Sequence, residues 1–153
     1  MNFLFGDYLW VVVLHIVLVF ILYFTTVKKP KTSSTLSPME PIIICYKRYF
    51  DFKGRSNRSE YWWFYLYYNS IFILSIWTSL EYPAFSQIGF VLVALTTIPY
   101  LAAKVRRLHD VNLSGGALLA YLIPFGGYWL LFKNLKQGTK GNNHYGKDPL
   151  MKN

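Results

Sequence analysis

The chain has 153 residues, of which 54% are hydrophobic, 20% aromatic and only 15% charged, and its mean hydropathy is +0.26. A soluble domain carries about 25% charged residues, so an ordinary soluble enzyme and a disordered chain are both excluded, and the length allows one domain with at most an appendage. Sixteen Lys and Arg against seven Asp and Glu leave a net charge of +9. Such an excess points to nucleic acid or to an anionic membrane surface. The apolar content decides for the membrane, and no nucleic-acid partner is expected. The one cysteine, Cys45, excludes an internal disulfide and a cysteine-based zinc cluster, and reads as a thiol packed in an apolar segment.

Four apolar stretches follow in chain order. Residues 8–27 contain no Lys, Arg, Asp or Glu, and twenty helical residues cover about 30 Å, one hydrocarbon core. No basic residue precedes Lys28 and no small-residue cleavage site follows, so this stretch reads as a retained helix rather than a signal peptide. Residues 28–41 are rich in Pro, Ser, Thr and Lys and read as a flexible linker. Residues 42–52 begin apolar and turn basic-aromatic, the pattern of a helix lying in the interface. Residues 61–80 and 86–103 are two further charge-free spans, the latter interrupted by Pro99. Residues 117–132 are shorter and broken by Pro124, Gly126 and Gly127. They suit either a short span or a re-entrant hairpin. The tail from 134 to 153 carries turn residues without an apolar period and is expected to be irregular.

Lysine and arginine set the orientation. Eight lie between the first two spans and Lys104, Arg106 and Arg107 follow the third, whereas the N-terminal residues and the 81–85 turn have none. Both basic loops are therefore expected in the cytoplasm and the N-terminus outside.

Two polar clusters carry whatever chemistry the chain has. In the first, Arg55 and Arg58 flank Ser56 and Asn57, either of which can cap the second span, with Glu60 three residues beyond Asn57. In the second, Arg106, Arg107, His109 and Asp110 close the third span, and the helical spacing favours an Arg106–Asp110 pair. The structural reading is headgroup anchoring, helix capping and a turn at 112–116. The functional reading is binding of a phosphate or lipid headgroup by arginine forks. The histidines have no close ligand spacing, and no hydrolase, zinc or phosphate-loop motif occurs. No catalytic residue, metal or cofactor is assigned. His15 in the first span is expected to be neutral and to face another helix.

A resemblance emerges from the motifs in order: Phe52-x-Gly54-Arg55-x-x-Arg58-x-Glu60-Tyr61-Trp62, then Arg106-Arg107-Leu108-His109-Asp110 with Ser114-Gly115, then Ile123-Pro124-Phe125-x-Gly127, then Gly138-Thr139-x-Gly141-x-Asn143-x-Tyr145-Gly146-x-Asp148-Pro149. From about Cys45 to Leu150 the chain resembles the domain of unknown function 805 family, small proteins of the bacterial inner membrane. It departs from the family pattern at Gly116 and in its extra N-terminal helix. The resemblance implies a helical membrane domain and supplies no substrate. It adds Asn143 and Asp148 to Glu60, His109 and Asp110 as supporting polar residues around Arg55, Arg58, Arg106 and Arg107.

The expected fold is all-α and polytopic, with three transmembrane helices, a short fourth membrane segment and one interfacial helix. Residues 1–27 form an appended helix, 28–41 the linker, 42–150 the family-like domain and 151–153 the tail end. For the fourth segment a spanning helix is the working expectation, because the tail motif offers no basic anchor of its own. The function expected is a multi-pass inner-membrane module that holds an anionic lipid, or a membrane-protein or homo-oligomeric partner, through cytoplasmic arginines. The alternative is a small transporter or channel subunit using Asn69, Ser70, Ser75, Thr78, Thr96, Thr97 and His15.

Overall fold

A computed structural model describes residues 39–151 and, within the first apolar stretch, Val17. The first span, His15 and most of the linker lie outside the described residues. Four α-helices follow in order: α1 (Met39–Lys47), α2 (Arg58–Glu81), α3 (Ser86–Asp110) and α4 (Gly126–Leu135), with 3-10 segments at Pro83–Phe85 and Gly115–Leu122. The all-helical expectation holds over the described residues, whose only β-type pairing is the single bridge between Asn143 and Gly146.

The interfacial helix starts earlier than expected, so Met39, Glu40 and Pro41 belong to a helix rather than to the linker. Glu40 in the first turn complements the helix dipole, and Pro41 fits where no intrahelical donor is needed. One face of α1 packs Cys45 against Phe64 of α2 and Ala103 of α3, with Ile42, Tyr67 and Tyr100 around them. α2 is capped by Asn57, whose Oδ1 accepts the Glu60 N–H at 2.8 Å. The Glu60 carboxylate turns toward Arg106.

α2 and α3 form an antiparallel hairpin. Near its closed end Gly89 lies so close to Ser75 that an added Cβ would sit 3.0 Å from the Ser75 Cβ. Midway, the Tyr68 and Tyr100 rings stack at 4.3 Å. Pro99 has no N–H for the Leu95 carbonyl four residues back, and the Tyr49 hydroxyl donates to that oxygen instead. Left-handed Asn112 (φ 61°) stops α3, with Leu113 N–H on the Leu108 carbonyl at 2.9 Å and Asn112 N–H on the His109 carbonyl at 3.0 Å.

Burial is reversed relative to a soluble protein. Every residue from Ala102 to Asp110 is buried, charged ones included, whereas Phe90, Leu92, Leu95, Leu74 and Ile76 are exposed. An apolar exterior around a polar interior end suits lipid. Among the described residues α3 alone is long and apolar enough to cross a membrane by length and composition. α2 has the length, but its Tyr, Trp, Asn and Ser lower its hydropathy, and the first span lies outside the described residues, so the expected count of three spans is not confirmed.

The fourth segment corrects the working expectation of one spanning helix. Gly115 starts beside Val105 on α3, the 3-10 segment runs out to Ile123, and α4 returns so that the Asn134 and Lys136 carbonyls accept from Arg107. Both ends lie at the arginine end of α3. Pro124 breaks the helix, Phe125 takes φ 64° at the tip, and Gly126 lets the arms meet, since a Cβ there would lie 1.7 Å from the Ala120 carbonyl oxygen.

Candidate functional site

The two arginine clusters expected from sequence meet at the buried end of the α2–α3 hairpin. Gly54 takes a left-handed conformation (φ 73°), which turns the chain so that Arg55 and Ser56 lie along α3. The Ser56 N–H then donates to the Arg106 carbonyl at 3.1 Å.

Asp110 sits between two guanidinium groups. Arg55 Nε reaches its Oδ1 at 3.0 Å, and Arg107 Nη1 takes its Oδ2. The expected Arg106–Asp110 pair does not form. Arg106 leaves that side of the helix and pairs with Glu60 at 3.3 Å, so Arg107, three residues before Asp110, is the intrahelical partner.

Each of these arginines also secures a different piece of backbone. Arg106 Nη1 donates to the Arg48 and Asp51 carbonyls just past α1. Arg107 donates to the carbonyls of Asn134 and Lys136 at the end of α4. Arg55 donates to Thr139, to Gly141 at 2.6 Å and to Gly146 at 3.3 Å, all in the tail. A guanidinium carries five donors in a rigid plane and stays charged when buried. Burial of charge demands partners. Here three arginines face two carboxylates, and the remaining positive charge faces carbonyl oxygens, including those at the negative ends of α1 and α4.

The supporting residues close the same structure. His109 Nδ1 lies 3.0 Å from the Gly54 carbonyl, and its ring stacks on Tyr145 at 3.9 Å. Asn143 Nδ2 donates to the His109 carbonyl and its Oδ1 accepts the Tyr145 N–H. Asp148 accepts from the N–H groups of Gly141 and Leu150. Gly138 passes so near Asp110 that a Cβ would fall 2.1 Å from Oδ2. The tail is irregular, as expected, but it is bound.

Cys45 is enclosed in this region, with its thiol 4.0 Å from Glu60 and 3.9 Å from Arg106 Nη2. Burial pushes its pKa up to about 12, helped by the Glu60 carboxylate and opposed by Arg106 and Arg48. The thiol is neutral and unreactive at physiological pH.

Among the described residues, two openings border this cluster. Arg58, the first residue of α2, lines a recess of about 50 Å³ with Asp110, Gly138 and Thr139. That is room for one or two waters, at about 30 Å³ each. Arg48, Arg55, Asn142, Lys147 and Asp148 line a basin of about 520 Å³, which is large enough for a phosphate group. Arg48 reaches it while holding Asp51 at 2.8 Å and Glu60 at 3.9 Å. Lys147 and Asn142 are exposed.

Sequence reasoning missed Arg48 as a member of the site. It also took Lys104 for a surface anchor, whereas Lys104 is buried, bonded to the hydroxyls of Tyr100 and Tyr121 and seated over both rings. The run of aromatic residues around it was the available signal. Among the described residues no three His, Cys, Asp or Glu side chains gather as a metal site.

The network joins residues 55 to 146, and a family model described as "Protein of unknown function (DUF805)" matches residues 49–147. The chain belongs to the DUF805 family. Inner membrane protein YhaI of Escherichia coli (strain K12) is 38% identical over 109 residues, covering 67% of this chain and 89% of the relative. Inner membrane protein YhaH of the same strain is 34% identical over 112 residues, covering 69% and 92%. No solved structure matches. The membrane placement read from composition agrees with these relatives. α1, whose carbonyl end Arg106 holds, precedes the DUF805 match.

Proposed function

We propose that this DUF805 protein is a multi-pass inner-membrane binding module that holds a phosphate-class anion at its cytoplasmic face. Its three buried arginines assemble the site, and Arg48 and Lys147 meet the ligand. The observation that carries this reading is the 520 Å³ basin: Arg48, Arg55 and Lys147 surround it, and the lining carboxylate, Asp148, is already engaged by two backbone N–H groups. Arg58, beside the small recess, borders the same face. A lipid headgroup suits a basin at the level where positive charge gathers at a membrane.

The transport alternative has no comparable support. Asn69, Ser70, Ser75, Thr96 and Thr97 turn their side chains onto nearby backbone carbonyls, as polar side chains do when they only help pack a membrane helix.

The test is native mass spectrometry of the full chain purified in neutral detergent with phosphatidylglycerol, with and without inorganic phosphate as competitor. Lys147→Gln is expected to reduce lipid retention several-fold with unchanged thermal stability. Displacement by phosphate assigns recognition to the phosphate group alone. Equal retention by Lys147→Gln and the native chain overturns the reading.

A further inference from the structure

From the return path of the fourth segment we infer that residues 115–135 form a re-entrant hairpin buried in the acyl chains of the cytoplasmic leaflet, with Pro124 and Phe125 at the tip. The C-terminal tail is consequently cytoplasmic.

Several observations converge on that occupant. The segment begins at Val105 and ends at Arg107 of α3, so it comes back to the face from which it left. Its arms are short: eight residues of 3-10 helix reach about 16 Å, and the ten of α4 about 15 Å. That is half of a hydrocarbon core of about 30 Å.

The outward surface is apolar. Leu122 and Phe125 are each 81% exposed, and Leu119, Ile123 and Phe132 also face outward. No charged residue lies between Asp110 and Lys133, after which Lys133, Lys136, Lys140 and Lys147 follow. An uncharged loop followed by lysines matches lipid tails followed by anionic headgroups. Lys133 Nζ lies 5.1 Å from the Trp129 ring, an interfacial pairing.

The backbone at the tip also suits a medium without water. Pro124 has no N–H to satisfy. Ile123 N–H bonds to Ala120 at 3.2 Å, Gly126 to Ile123 at 3.1 Å, and Tyr128 to Phe125 at 3.1 Å. Non-helical backbone at membrane depth requires such internal partners and shielding by protein, and α3 packs against both arms of the segment.

The test places single cysteines in the full chain, where the native Cys45 is buried. In intact spheroplasts a membrane-impermeant maleimide is expected to spare Met151→Cys and to label it only after permeabilisation, while labelling Tyr82→Cys from outside. A spin label on Leu122→Cys is expected to report greater access to oxygen than to an aqueous nickel complex. External labelling of Met151→Cys shows a segment that crosses and overturns the inference. A water-accessible Leu122 label overturns it too, as does a label immobilised only above a threshold protein concentration, which identifies a second copy as the occupant. Met151 borders the anion basin, but the side of the membrane from which it is labelled reports the path of the segment whether or not an anion is held. Leu122 lies outside the basin, so failure here is distinguishable from failure of the anion site.

Discussion

Arginine at 107 does more than supply a positive charge at the end of α3. A lysine there keeps the charge and therefore the orientation signal, but it cannot span Asp110, Asn134 and Lys136 together. Arg107→Lys is expected to leave reporter topology unchanged and to destabilise the folded domain by about 3 kcal/mol, the scale of a broken buried pair, measured as a lower melting temperature in detergent. Unchanged melting would return Arg107 to a simple anchor. The residue types of this network were legible in the sequence, and so was its location. Its pairing was not. Arg106 and Asp110 have the commoner helical spacing, yet Glu60 approaches α3 on the Arg106 side and Arg55 on the Asp110 side. Only the packing of α2 against α3 decides that exchange.

Helix-level features divide in the same way. The turn at Asn112 is local chemistry and could be read directly, whereas for the cap of α2 the sequence offered Ser56 and Asn57 and the structure uses Asn57. The Pro99 interruption was equally plain, but the group that compensates for it comes from Tyr49, far away in sequence. Tyr49→Phe is expected to destabilise the domain by about 1 kcal/mol, the net worth of one hydrogen bond. In a Pro99→Ala background, where residue 99 regains an N–H for Leu95, the same change is expected to cost much less. A double-mutant cycle by thermal melting measures this coupling, and additive effects would separate Tyr49 from the proline gap. The fourth segment stayed ambiguous because sixteen apolar residues satisfy both a short span and a hairpin. Only the approach of Gly126 to Ala120 and of Arg107 to Asn134 distinguishes them.

At the scale of the molecule, an apolar sleeve encloses the hairpin's outer length, and a buried ionic cluster joins the ends of its helices to the tail. Composition and charge asymmetry were enough to read the sleeve. The tail was not readable as part of the core, because it contributes backbone carbonyls, which every sequence possesses. Truncation after Lys136 removes the Thr139, Gly141 and Gly146 acceptors of Arg55 while sparing both carboxylates. The truncated chain is expected to remain membrane-inserted but to lose resistance to trypsin at Arg55 and Arg58. Limited proteolysis of membrane preparations checks this, and an unchanged digestion pattern would show that the tail is dispensable to the cluster.

Arg55 and its acceptor Gly146 are separated by 91 positions. At translation rates of about 5–20 residues per second, Arg55 is made many seconds before that oxygen exists, and Arg107 likewise precedes Asn134. The guanidinium groups of Arg55 and Arg107 therefore lack these acceptors until residues 134–146 are made, whereas Arg106 finds its partners Glu60, Arg48 and Asp51 already synthesised. A translation product that stops before Asn134 is therefore expected to hold Arg55 and Arg107 without those acceptors and to be cut by protease at this base, where the full chain is not.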